Sequence, residues 1–190
     1  MSCPQIDSHE GPDNPVANPN MLDAKLWDNP CPFAFRLNYL ALLYNTPLYT
    51  WVQDTYGLKR SEYVVLYSLA VANGGSAHDI SRTSGFPKNT LSRAIKRIEL
   101  MGLIEPRTTT PGGGRKQMIR LSKKGWALYN RTRPAFEAQE KKMLKTLSVG
   151  EQHMLSELMT KIVIRSEDWA GELPPEAMID TETWTEGNTL

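Results

Sequence analysis

The chain has 190 residues, 40% of them hydrophobic and 23% charged, with a formal net charge of +1. That is a globular composition with room for a sizeable core. It excludes a disulfide scaffold, because the two cysteines, Cys3 and Cys31, are too few and show no CxxC spacing.

No apolar run approaches the roughly 20 residues needed to cross a bilayer, so no membrane partner is expected. The three histidines, His9, His78 and His153, are scattered. They give no zinc-ligand spacing, and no metal or cofactor is expected. The near-neutral total hides an asymmetry. Residues 82–133 hold 13 Lys/Arg against 2 acids, whereas the remainder holds 9 against 19. A basic middle of that length calls for a polyanionic partner.

Residues 1–30 are rich in Pro, Asn and Asp and read as a disordered tail. Their start lacks the basic and apolar regions of a signal peptide, so a cytoplasmic location is expected. From Phe33 the apolar positions Phe33, Leu37, Leu40, Tyr44, Leu48, Trp51 and Val52 recur with a helical period. Pro47 is expected to kink or interrupt this helix, and Gly57 to close it. A second helix follows, with Ser61 as its expected N-cap and Gly74–Gly75 as its stop. In "SAHDISRTSG", Ser76 and Asp79 have capping-box spacing ahead of a short helix that ends at Gly85.

"FPKNTLSRAIKRIELMGLIEPR" is the most informative stretch. Pro87 fits a first helical turn. Leu91, Ile95 and Ile98 form one apolar stripe, while Lys88, Asn89, Thr90, Ser92, Arg93, Lys96 and Arg97 make up the remaining surface. Gly102 ends the helix. "GLIEPRTTTPGGGRKQMIRLSKKG" then reads as a strand, a cationic glycine-rich tip and a returning strand, with Met118 and Arg120 alternating against Ile119 and Leu121. Ser122 is expected to cap a long helix bent by Pro134. Ser148 and Glu151 are spaced to box the start of a last helix reaching about residue 164 or 169. Residues 170–190 form an acidic tail, expected to be poorly ordered.

Two short helices joined by a tight turn, a basic-faced helix and a hairpin with a cationic tip describe a winged helix-turn-helix. The fold class is therefore mainly α with a small β-hairpin wing. The winged helix spans 61–121, and flanking helices at 31–60 and 122–169 are too apolar to stand as solvated rods. The major groove admits one α-helix, and the polar N-terminal half of the basic helix would reach base edges there. Arg115 and Lys116 at the wing tip would meet the minor groove or phosphates. Lys88, Lys96 and Lys123 would set register through phosphate contacts.

These segments resemble the MarR family of transcriptional regulators. Thr90–Leu91–Ser92–Arg93 matches the family's TVSR-like recognition-helix start. Ile98 to Arg107 matches its "LE-x-x-GLI-x-R" ending, with Arg107 one residue late. In the wing motif "DRR-x-x-x-V-x-LT-x-x-G", Arg115 falls on the second Arg, Ser122 replaces Thr and Gly125 is in place. Gly113 and Gly114 stand where the family has Asp and Arg, so the wing is expected to be looser.

The resemblance covers about residues 33–165. It implies an obligate homodimer, joined through the first helix and the last two, on double-stranded DNA with a pseudo-palindromic operator. It also implies a repressor released by a small-molecule effector, an aromatic acid in many members, with Arg36, Tyr39 and Tyr44 as candidate contacts. Hydroperoxide-sensing members carry a cysteine just before the first helix, hydrogen-bonded by tyrosines. Cys31 occupies that place, so a thiol-based redox sensor is an alternative reading. A winged helix that binds protein is another. An enzyme is not expected, because no catalytic constellation has informative spacing.

Overall fold

The computed structural model describes residues 20–106 and 118–171. Within them the chain forms α1 (Met21–Trp27), α2 (Pro32–Tyr56), α3 (Arg60–Val71), α4 (Ala77–Ser84), α5 (Lys88–Leu100), α6 (Lys123–Met143) and α7 (Val149–Ile164). Short 3-10 turns follow at Leu144–Thr146 and Ser166–Asp168. The chain divides into two compact units, Met1–Glu140 and Lys141–Leu190, so the break falls inside α6. None of the described helices is long and apolar enough to cross a membrane.

In the first unit, α1 corrects the expectation of disorder for residues 1–30 over its own seven residues. Asn20 Oδ1 accepts from the Leu22 N–H at 3.2 Å and caps the helix. The helix packs on α2. Arg36 of α2 donates to the Leu26 carbonyl at 2.8 Å and lies 5.3 Å over the Trp27 ring. A helix this short is marginal alone and shows too few turns for a period; it is held by tertiary contacts. Residues 1–19 lie outside the described residues.

Two further expectations are corrected. Pro47 does not interrupt α2, which continues to Tyr56 before Gly57 takes a left-handed φ of 66°. Loss of one backbone donor is outweighed where the following turns bury Leu48 and Val52 in the core. Ser61 is not the cap of α3 either. The cap is Lys59, two residues earlier, whose N–H donates to the buried Glu62 carboxylate at 2.8 Å.

The core of the first unit sits around α3. Tyr63, Val65, Leu66, Leu69 and Ala70 of α3 pack with Ile80 of α4, with Leu91, Ala94, Ile95 and Ile98 of α5, and with Leu103, Ile104, Ile119 and Leu121. Antiparallel bridges join Gly75 to Ile119 and Ile104 to Leu121. Ile119 and Leu121 are buried while Met118 and Arg120 are exposed, as the alternation predicts. The paired segments are thus the base of the expected wing, shorter than full strands. Its tip lies outside the described residues.

Ser122 begins α6 as expected, its Oγ accepting from the Gly125 N–H at 3.1 Å and donating to the Gly102 carbonyl at 2.7 Å. The helix runs through Pro134. In the second unit, Ser148 and Glu151 form the reciprocal capping box, with Ser148 N–H to Glu151 at 2.8 Å and Glu151 N–H to Ser148 at 3.3 Å. α7 ends at Ile164, the nearer of the two expected limits, and has no buried residue. The acidic tail beyond residue 171 is outside the described residues.

Candidate nucleic-acid interface

The surface with the clearest chemistry is built by α4 and α5. Ser76 Oγ accepts from the Asp79 N–H at 3.2 Å and starts α4 where the sequence places it. Gly85, with a φ of 69°, reverses the chain. Ser81 Oγ donates to the Phe86 carbonyl at 3.2 Å and fixes the turn. Pro87 is the N-cap of α5, one position before the expected first turn.

At the other end, the Gly102 N–H donates to Glu99 and the Leu103 N–H to Ile98, both at 2.9 Å. This Schellman pattern needs the left-handed φ of 69° at Gly102. The Lys124 ammonium adds a bond of 2.7 Å to the Met101 carbonyl. That lysine is therefore bound to the end of α5.

Between these ends α5 has two faces. Leu91, Ala94, Ile95 and Ile98 are buried. Lys88, Asn89, Ser92, Arg93, Lys96 and Arg97 are exposed, and Thr90 is half-buried. The sequence-predicted residues on α5 are therefore together on one helix. The cations among them make no ion pair among the described residues. His78 of α4 joins Lys88, Ser92 and Lys96 around a hollow of about 430 Å³ between the two helices. In the sequence His78 stands only as one of three scattered histidines; its place one residue before the capping Asp79 is the signal that puts it on this surface. Arg115 and Lys116 lie outside the described residues. Lys123 is exposed at the start of α6.

The candidate effector residues are not brought together. Arg36 is held by α1, as described above. Tyr39 stacks on Phe35 at 5.5 Å between ring centroids and lines a hollow beside α1. Tyr44 instead lines a separate hollow of about 300 Å³ between α2, α3 and α6, with Tyr49, Tyr63, Tyr67, Tyr129 and Phe136. Its hydroxyl donates to the Phe136 carbonyl at 3.3 Å. Burial first, and then the Glu140 carboxylate, push its pKa up to about 12. Tyr63 donates to Thr132 Oγ1 at 2.8 Å, and burial likewise lifts its pKa to about 12.

Cys31 is a free, exposed thiol at the N-cap of α2. Its own N–H donates to Asn29 Oδ1 at 2.8 Å. Among the described residues no tyrosine hydroxyl hydrogen-bonds to it.

Comparison with known proteins follows the same lines. Residues 56–116 match the model of the MarR family. The fold is similar to that of a MarR family transcriptional regulator from Silicibacter pomeroyi, 19% identical, covering 81% of this chain and 99% of that one at a TM-score of 0.64. It is also similar to a MarR/EmrR family transcriptional regulator from Acinetobacter sp. ADP1, 24% identical over 72% and 95% of the two chains, TM-score 0.62.

A Mycobacterium tuberculosis MarR family protein, solved in complex with DNA, is 19% identical over 69% and 97% of the two chains, TM-score 0.53. The same protein has been solved with salicylic acid, with 21% identity over 69% and 96% of the two chains and a TM-score of 0.55. No curated protein matches the sequence.

Proposed function

We propose that this chain, whose residues 56–116 match the model of the MarR family, is a DNA-binding transcriptional regulator acting as a homodimeric repressor. The observation that carries this reading is the division of α5, whose one face is core and whose other is basic and exposed. A protein-binding winged helix would need an apolar exposed stripe there. The proposed operator is pseudo-palindromic, with half-sites about one helical turn apart. The solved DNA complex of the M. tuberculosis protein supports the mode of binding.

The same reading assigns a small-molecule effector that releases the operator by occupying the tyrosine hollow. Support comes from its aromatic walls and from the salicylic acid complex of the M. tuberculosis protein. The resemblance implies an aromatic acid in many members, with Arg36 among the candidate contacts. Since Arg36 is engaged by α1, the effector's charge is left to the residues of the hollow.

Selection of duplexes from a random library, followed by salt titration on the enriched sequence, tests the DNA-binding reading. An inverted repeat should emerge. Arg93→Ala should weaken it roughly tenfold or more and relax base preference, as loss of a bidentate base contact does. Lys96→Ala should weaken all duplexes alike and lower the salt slope by about one. Equal, weak affinity for every duplex would overturn the proposal.

A further inference from the structure

The hollow proposed above as the effector site has walls of aromatic rings and a rim of charged side chains. Two of its tyrosines have no proton left to give a ligand, because Tyr63 donates to Thr132 and Tyr44 to the Phe136 carbonyl. Arg133, the cation at the rim, is 3.2 Å from Glu137. Glu140 has no ion-pair partner among the described residues, so the rim carries one uncompensated negative charge. That charge reaches inside, since it adds to burial in raising the Tyr44 hydroxyl.

A carboxylate entering this space would lose hydration and face Glu140, with phenolic donors left among the lining tyrosines at Tyr49, Tyr67 and Tyr129. A cation meets the negative ring faces and a carboxylate instead. The structure already contains one such contact: the Arg60 guanidinium lies 5.1 Å over the ring of Tyr49, itself a wall of the hollow.

We infer that the hollow binds a small organic cation, an aromatic or alkyl ammonium of about single-ring size, over its tyrosine rings with Glu140 as counter-charge. It does so in preference to an aromatic carboxylate of the same size. This rests on the effector-site reading for its biological use but not for its chemistry. The volume of about 300 Å³ sits at the small end of ligand pockets, which suits one ring.

Calorimetry on the full chain, without DNA, with benzyltrimethylammonium against benzoate tests it. The ammonium should bind and benzoate should bind at least about tenfold more weakly. Glu140→Gln, at an exposed position that the fold tolerates, should weaken the ammonium roughly fivefold. Tyr67→Leu, which keeps bulk but removes a ring face, should weaken it similarly. Benzoate binding as tightly as the ammonium would overturn the inference. So would binding of neither, or an ammonium affinity unmoved by both substitutions. A separate titration of the operator complex distinguishes the two readings. Ammonium binding that leaves operator affinity unchanged would support the ligand class and remove the effector role.

Discussion

Thr132 is fully buried in the middle of α6, and its hydroxyl serves two helices at once. It shares its proton between the Leu128 and Tyr129 carbonyls of its own helix, at 3.0 and 3.1 Å, and accepts the proton of Tyr63 from α3 at 2.8 Å. The two partners are not equivalent. Thr132→Val keeps the shape and removes the acceptor, which leaves the Tyr63 hydroxyl buried without a partner, at a cost of about 1–3 kcal/mol. Tyr63→Phe removes the donor, and the threonine still satisfies its proton within α6. It should cost about 1 kcal/mol or less. Urea unfolding of the two variants decides. A larger loss from Tyr63→Phe would mean that this hydrogen bond is not what links α3 to α6.

At the scale of elements, glycines that look alike in sequence separate by what surrounds them. Gly125, on the first turn of α6, is buried where a Cβ would overlap the Leu103 carbonyl oxygen. That carbonyl cannot withdraw freely, because it accepts from the Ser122 N–H at 3.0 Å. Gly150, in the first turn of α7, faces open space. Gly125→Ala should therefore destabilise by about 1–3 kcal/mol through overpacking. Gly150→Ala should raise stability by about 0.5 kcal/mol by restricting the unfolded chain. Thermal unfolding followed by circular dichroism would show the opposite shifts.

The same contrast separates what was legible in the sequence from what was not. Ser76, Gly85, Gly102 and the Ser148–Glu151 box act within a few residues of themselves, so their roles follow from local spacing. The face of α5 was legible for that reason, being one helix with one period. α1, the passage of α2 through Pro47 and the start of α3 at Arg60 depend on packing against other segments, which spacing does not encode. The tyrosine hollow draws on rings from Tyr44 to Phe136, and periodicity alone assigns those rings to core. Arg36 and Tyr44 share a helix, yet Arg36 reaches back to Leu26, a contact that only the α1–α2 packing creates.

For the whole molecule, the unsettled surface is apolar rather than charged. On α7, Leu155, Leu158 and Ile162 are 41%, 49% and 39% exposed at spacings of three and four residues, one helical stripe. On α2, Phe33, Leu37 and Leu40 make a second exposed stripe. Such faces on a solvated chain mark an interface, and a second copy covering them gives the homodimer proposed here. Leu158→Asp places a charge in the first stripe, at a position with no buried role in the chain itself. Sedimentation at micromolar protein should then show a monomer in place of a dimer. Affinity for a full operator should fall by roughly a hundredfold or more, because the second half-site loses its tethered reader. Affinity for a single half-site duplex should not change, since α5 and its supporting core lie in the other compact unit. Equal losses on full and half operators would instead show that Leu158 acts through the fold of the winged helix, and the homodimer would then need a different surface.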